Sequence, residues 1–251
     1  MCHGKVMSVF FRGILFFLFA YLFLNNFFFS TAIAKDPSQA ITDAWIHAEI
    51  NAAKCLILEG SISTDPNETI TKDVSATSIQ MSESQLITDP VLYINSLVSL
   101  ILSHSDTLKQ ADQYLFDIGE AYYLRAEKVL RLGNKTQAQT EYADALAIWE
   151  NIRAKSTDPN QQANAIYYSG AAFSAMEDYE TAVKYFSEVV EKYPNYKKAW
   201  YARFRIAQIY ETFQVQGKVT KEAIKVAYER LLQNDPNCPA APIAIQKLNT
   251  F

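Results

Sequence analysis

Residues 165–173 read Ala-Ile-Tyr-Tyr-Ser-Gly-Ala-Ala-Phe, and residues 179–194 read Tyr-Glu-Thr-Ala-Val-Lys-Tyr-Phe-Ser-Glu-Val-Val-Glu-Lys-Tyr-Pro. Both stretches carry apolar residues at helical spacing, and Glu177-Asp178 between them reads as a turn. Counted from Gly170, Ala182 comes 12 residues later, Phe186 16, Val189 19 and Pro194 24. That spacing predicts two interlocking antiparallel helices. Gly170 and Ala182 let the backbones approach, and Phe173 and Phe186 fill the space beside the contact. Pro194 lacks the N–H that a further turn would need, and so ends the second helix.

A single helix pair cannot bury its own apolar face, so neighbours are expected on both sides. Downstream, Ile206-Ala207 with Tyr210 repeats the first-helix pattern, and Ala223, Tyr228, Leu231 and Pro236 repeat the second. Five extra residues fall in Gln214–Val219, around Gly217. Upstream, Leu115, Ile118-Gly119 and Tyr122 open a pair whose second helix carries Ala138, Tyr142 and Ala145. With Gly119 as its marker, this pair lies 51 residues before Gly170, and Ala207 lies 37 after it.

The best of these units resembles the tetratricopeptide repeat, whose pattern runs large apolar, Leu-Gly, Tyr, then Ala, Phe, Ala and Pro. Ile166, Gly170, Phe173, Ala182, Phe186 and Pro194 match it, with Ser169 in place of the Leu and Val189 in place of the last Ala. The irregular period resembles that of repeat proteins of bacterial envelopes, such as outer-membrane assembly factors and the Tol-Pal-associated family. The resemblance covers roughly residues 110 to 251. It implies an all-α, right-handed α-solenoid of antiparallel helix pairs that binds a protein or peptide along a concave groove.

The rest of the chain reads as helix with one break. A first helix is expected from Pro37 to Glu59, with Ile41, Ala44, Trp45, Ala48, Ala52, Cys55, Leu56 and Leu58 on or near one face. Residues 61–88 turn to Ser, Thr, Asp and Asn and read as a loosely packed insert in an N-terminal helical region, 35–105. Asp89-Pro90 is expected to open a helix over Val91–Ser103 that is apolar nearly all round and therefore buried. The repeat domain is expected over 106–251. Asp106 opens its first helix, Gly133 stops it, and Asn134 or Thr136 caps the next. Asp158-Pro159 and Asn195 open later helices, and 240–249 forms a capping helix at the end.

Lys5 and Arg12, the apolar run Gly13–Leu24 and Ala32-Ile33-Ala34 together read as a signal peptide, 1–34, cleaved before Lys35. The competing reading is an uncleaved anchor, because Phe27-Phe28-Phe29 carries the apolar stretch to 17 residues from Gly13. That is the short limit of the ~17–25 residues a spanning helix needs. Membrane contact is expected only through this segment if it is retained. No Cys stands at the cleavage point, and Cys2 lies upstream of the apolar core. The expected location is the periplasm or the exterior.

The formal net charge is −4, and removal of Lys5 and Arg12 leaves 21 basic against 27 acidic residues. Nucleic-acid binding needs clustered Lys and Arg to displace counterions, and Lys192 with Lys197-Lys198 is too small a cluster. No Cys-x-x-Cys-His and no Gly-rich phosphate loop occurs. His47 and His104 have no ligand partners at metal spacing. Neither a metal nor another cofactor is expected, and no enzyme activity. Cys55 reads as a small core residue, and a bridge to Cys238 would need two ends of a solenoid to meet.

By the resemblance, the groove is lined by the first helix of each pair. Its candidates are Gln113, Phe116, Glu120 and Tyr123, then Asn164, Tyr167, Ala171 and Ser174, then Tyr201, Phe204, Gln208 and Glu211. Phe116 and Phe204 read as packing between repeats. The partner-binding set is therefore Glu120, Tyr123, Asn164, Tyr167, Tyr201, Gln208 and Glu211, directed at an envelope protein or peptide, with homo-oligomerisation left open. The alternatives are an outer-membrane or cell-wall assembly factor and, from another class, a small helical enzyme or carrier with 61–88 as a lid over a pocket.

Overall fold

The computed structural model describes residues 43–60 and 90–251. The expected signal peptide, the start of the first helix at Pro37, the 61–88 insert and the Asp89 cap lie outside these residues. Among the described residues all regular structure is helical: α1 Asp43–Glu59, α2 Pro90–Ser103, α3 Ala111–Arg131, α4 Lys135–Lys155, α5 Pro159–Ala175, α6 Tyr179–Lys192, α7 Ala199–Val215, α8 Lys221–Asn234 and α9 Ala241–Leu248. The described residues from His47 to Phe251 form one compact unit. Within it α3 pairs with α4, α5 with α6 and α7 with α8, each pair packs on the next, and α9 covers α8. This is the expected solenoid of antiparallel helix pairs.

Local chemistry fixes the turns. Asn134, Asp158, Asp178 and Thr220 cap α4, α5, α6 and α8, each side-chain oxygen accepting a backbone N–H from the first turn at 2.8–3.2 Å. Pro159 occupies the first turn of α5, where no N–H is needed. Each pair reverses direction through a residue in the left-handed region: Gly133 at φ 89°, Glu177 at φ 66° and Gly217 at φ 72°. Two of the three are glycine, which has no Cβ to strain there.

The first two helix pairs share a register about their turns. Gly170 lies 7 residues before Glu177 and Phe186 lies 9 after it, and a Cβ on Gly170 would stand 3.0 Å from the Phe186 ring. Around Gly133 the residues at the same offsets are Ala126 and Tyr142. Both are buried. Ala126 also precedes Ala138, Tyr142 and Ala145 by 12, 16 and 19 residues, the spacing that Gly170 keeps from Ala182, Phe186 and Val189. The residue equivalent to Gly170 is therefore Ala126, and the interval is 44 residues rather than 51. Gly119 sits one heptad farther from the turn, against Trp149. The helices α3 and α4 are 21 residues each, against 17 and 14 in the next pair. The extra turns carry this second contact.

Other expectations are corrected. Ala48, Ala52 and Cys55 are exposed, and α1 buries Ile50, Ala53 and Ile57 instead. Two isoleucines remove far more apolar area from water than the alanine face would. Cys55, read as a small core residue, lies at the surface, and it and Cys238 are free thiols. The α2 helix is one-sided: Ile94, Leu97 and Ile101 are buried, while Val91, Asn95 and Ser99 form an exposed line one turn apart. Asp106 does not open α3. Residues 104–110 form turns pinned by buried Leu108, and the helix starts at Ala111 after Gln110. Asn195 does not cap α7, which starts after Lys198. Tyr196 is instead drawn into the core, so residues 193–198 make a tight connection rather than a helical turn.

The α1 and α2 segments attach by polar contacts. Arg125 Nη1 donates to the Ile57 carbonyl at 2.9 Å, satisfying a last-turn acceptor of α1. Lys54 lies 3.6 Å from Asp117, and the Tyr93 hydroxyl donates to the Glu49 carboxylate.

Candidate functional site

The first helices α3, α5 and α7 bring their tyrosines into one aromatic line. Phe116 and Tyr123 of α3 meet Trp149 of α4 and Tyr168 of α5, with ring centroids 5.2–6.0 Å apart. Tyr168 meets Tyr167 at 5.3 Å, and Tyr167 meets Phe186, Tyr196 and Tyr201. Tyr201 continues to Phe204, and Phe204 to Tyr228. Most pairs along the line are edge-to-face or tilted, while Phe116–Trp149 and Tyr201–Phe204 are stacked at 26°. Burial is the first cause that raises the phenol pKa of Tyr123, Tyr142, Tyr167, Tyr196 and Tyr228, with neighbouring carboxylates or phenols adding to it. These hydroxyls are held neutral across the physiological range.

The sequence-selected residues fall into two groups along this line. Phe116 and Phe204 are buried between repeats, as expected. Tyr167 is also buried, at 6% exposure, so it packs the seam and does not offer the apolar area expected of it. Half-exposed aromatic surface comes from Tyr123, Tyr168 and Tyr201. The polar candidates are engaged within the fold. Asn164 Oδ1 accepts from the Tyr196 hydroxyl at 2.5 Å. Gln208 Oε1 accepts from Arg205 at 3.0 Å, and Glu211 accepts from Tyr228 at 2.9 Å and pairs with Lys247 at 2.8 Å. Glu120 is half-buried on α3.

Two cations on this face were not selected from sequence. Arg205 Nη2 donates to Ser174 Oγ at 2.8 Å, joining α7 to α5. Lys198 Nζ donates to the Tyr168 hydroxyl at 2.7 Å and lies 5.0 and 4.2 Å from the ring centres of Tyr167 and Tyr168. A basic residue inside a helical pattern reads as solvated surface. Only the fold places these two beside the tyrosines.

Residues 164–196 match the tetratricopeptide repeat family. The matched segment contains α5 from Asn164 onward, all of α6 and the connection to Tyr196. Repeats of this kind generally mediate protein–protein binding, and the fold is typically a non-enzymatic scaffold. Among solved structures, the chain is similar to a protein of Podosopora anserina described as a kinesin light chain with nearly identical TPR-like repeats. The likeness has a TM-score of 0.44 at 12% identity and covers 83% of this chain and 86% of that one. No curated protein matches the chain.

No group of three His, Cys, Asp or Glu side chains among the described residues could hold a metal ion. A hollow of about 510 Å³ opens between residues 105–113 and the α4–α5 turn. At its wall Gln161 donates to Gln113 at 3.1 Å, Asp112 accepts from Ser156 at 2.5 Å and Asp158 caps α5. No described helix is long and apolar enough to cross a membrane.

Proposed function

We propose that the chain is an exported scaffold that holds an envelope protein or peptide along the face formed by α3, α5 and α7. The observation that carries this reading is the row of half-exposed tyrosines Tyr123, Tyr168 and Tyr201, one on each first helix. Rigid aromatic area at intervals along a helical face is what an extended segment can lie against at small entropic cost. Asn164, Gln208, Glu120 and Glu211 supply polar contacts beside it. An outer-membrane or cell-wall assembly role is the form of this function that the irregular repeat lengths favour.

Export is proposed from Lys5 and Arg12, the apolar Gly13–Leu24 and the small residues Ala32 and Ala34. N-terminal sequencing of the protein from its native host is expected to begin at Lys35, and an intact Met1 in washed membranes would replace the exported form with an anchored one. Docking is tested by replacing Tyr201 with a photo-crosslinking amino acid and recovering adducts from the native envelope fraction. Adducts at position 201 that are missing from a control position at an exposed residue of α8, such as Glu222, are expected. Equal labelling at both positions would remove this face as the docking surface.

A further inference from the structure

The terminal helix α9 repeats the register of α7. Before α7, Tyr196 N donates to the Tyr193 carbonyl at 2.9 Å and Ala199 N to the Tyr196 carbonyl at 2.8 Å; before α9, Cys238 N donates to the Asp235 carbonyl at 3.1 Å and Ala241 N to the Cys238 carbonyl at 3.0 Å. Donors and acceptors are displaced by 42 residues throughout, and Ala202 and Ala244, also 42 apart, are both fully buried. The α5 and α7 helices match at 37 residues, where Ala165-Ile166-Tyr167 and Ala202-Arg203-Phe204 are buried runs. With the 44-residue interval from Ala126 to Gly170, these matches align α3, α5, α7 and α9. One row is then Leu124, Tyr168, Arg205 and Lys247, and the row one turn before it is Glu120, Asn164, Tyr201 and Ile243.

The apolar members of the two rows form one diagonal, a residue on each helix: Leu124 on α3, Tyr168 on α5, Tyr201 on α7 and Ile243 on α9. The two aliphatic ends are open to water, Leu124 at 50% and Ile243 at 44% exposure, and the tyrosines between them are half-exposed. Contacts join the helices across this face: Tyr123 meets Tyr168 at 6.0 Å, Tyr167 meets Tyr201 at 6.1 Å, and Lys247 pairs with Glu211 at 2.8 Å. Charge divides the face along the same direction. Glu120, one turn before Leu124, has no cation within 4 Å among the described residues, whereas Arg205 and Lys247 stand at the other end. Packed helix axes lie about 8–10 Å apart, which sets the interval between successive apolar stations. A polyproline-type segment returns a side chain to the same side every three residues, about 9.3 Å; a strand does so every two, after about 6.8 Å.

We propose that the bound segment is a polyproline-type stretch of about ten residues with an apolar side chain at every third position, seated in turn at Leu124, Tyr168, Tyr201 and Ile243, and with a Lys or Arg at the end that lies on α3, facing Glu120. This rests on the α3, α5 and α7 face being the docking surface and extends that surface onto α9. The spacing of the helices selects the spacing of the apolar residues, and Glu120 selects which end of the segment lies on α3. Leu124 and Ile243 lose water only when both ends of the segment are seated, so a shorter segment forgoes one of the two.

The test uses the full chain and fluorescein-labelled decapeptides with blocked ends, built from Pro and Ser with one Lys next to each terminal residue. The first carries Leu at every third position from one end to the other, the second the same number of Leu at every second position, and the third Ser in their place. By anisotropy, the every-third frame is expected to bind about tenfold tighter than either of the others. Leu124→Ser and Ile243→Ser are each expected to lower its affinity about fivefold with circular dichroism unchanged, because both side chains are exposed; Val215→Ser, 85% exposed at the end of α7 and off the diagonal, is expected to leave it unchanged. Replacing one of the two Lys by Glu is expected to weaken binding about threefold and replacing the other to have no effect, a difference lost in Glu120→Gln. Equal binding of the three frames, indifference to Leu124→Ser and Ile243→Ser, an equal loss in Val215→Ser, or two Lys positions that respond alike would overturn the proposal. Should no frame bind, the proposal also fails, and the crosslinker at position 201 then reports separately on the docking face: specific adducts there keep that face, and their loss removes both.

Discussion

A Cβ on Gly119 would stand 2.5 Å from Trp149 Nε1. Trp149 is fully buried, so its ring has no room to retreat. Gly119→Ala is therefore expected to destabilise the protein by about 1–3 kcal/mol through overpacking, despite the ~1 kcal/mol that alanine gains in helix propensity. At Gly170 the Phe186 ring stands at 3.0 Å, and a shift of a few tenths of an ångström accommodates the methyl. Gly170→Ala should be near neutral, and Gly170→Leu should cost as much as Gly119→Ala. Urea midpoints of the three variants decide this. A Gly119→Ala midpoint equal to the parent would show that the two helices are not held as close as described.

The repeat at 164–194 was legible because its marker residues stand at the helix contact and at its end: Gly170 under Phe186, Ala182 facing back, Pro194 after the last turn. The upstream pair was located but misregistered. Gly119 looks like the repeat glycine, yet the residue at the equivalent offset is Ala126, and nothing local distinguishes one alanine of α3 from another. The caps Asn134 and Asp158 were readable because they act on N–H groups a few residues away, whereas Asp178 was read only as part of a turn and caps α6 as well. Asn195 was misread because the fate of its neighbour Tyr196 depends on Asn164, 32 residues distant. Arg205 and Lys198 were missed for a related reason. Whether a cation has a carboxylate depends on which helices meet.

Glu177 holds a left-handed backbone, φ 66°, where the other two turns use glycine. A side chain there costs about 1–2 kcal/mol relative to ordinary helical backbone. Its ion pair with Lys135, 3.0 Å long, joins two exposed side chains and returns little. Glu177→Gly is expected to raise stability by about 0.5–1 kcal/mol after the entropy glycine adds to the unfolded chain. Thermal melting checks it, and a lower melting temperature would mean that the Lys135 pair outweighs the strain.

Arg203 is 9% exposed, and its Nη1 donates to Asp235 Oδ2 at 2.7 Å, tying α7 to the C-terminal end of α8. Asp235→Asn keeps the shape and removes the charge. The guanidinium then loses its counter-charge in a poorly hydrated place, and a loss of about 1.5–3 kcal/mol is expected. Asp178→Asn, at an exposed cap, should cost far less because Asn caps as well as Asp. Equal losses at the two sites would show that the Arg203 pair carries no special weight.

Tyr185 donates to Glu150 at 2.6 Å, and its phenol pKa is pushed up to about 12 by burial first, then by that bond and the Glu150 charge. Tyr93, Tyr122, Tyr123, Tyr142, Tyr167, Tyr196 and Tyr228 are shifted upward as well. A raised phenol favours the neutral form in the folded state. Its stabilisation is complete below the unfolded value of about 10 and is lost as pH rises through the folded value. The tyrosine contribution to the urea midpoint should thus be flat up to about pH 9.5 and fall steeply above it, with a shallower fall in Tyr185→Phe. Absorbance near 295 nm follows the phenols directly. Ionisation of these tyrosines at ordinary values in the folded protein would contradict the burial described.

Asn164 and Tyr201 separate binding from stability on the proposed docking face. Asn164→Ala leaves the hydroxyl of Tyr196, itself 7% exposed, without its acceptor, so the variant should lose about 1–3 kcal/mol of stability whatever the partner does. Adding Tyr196→Phe removes the orphaned hydroxyl and should restore most of that loss. If Asn164 also touches the partner, capture from the envelope fraction stays weak in the restored double variant; if capture recovers with stability, Asn164 serves only to anchor Tyr196. Tyr201 is half-exposed and meets Tyr167 at 6.1 Å and Phe204 at 6.1 Å. Tyr201→Ala is expected to weaken capture by about 1–2 kcal/mol, as aromatic anchors do, with helix content unchanged. Unchanged capture by Tyr201→Ala and by the restored Asn164 variant would move the docking site off α5 and α7.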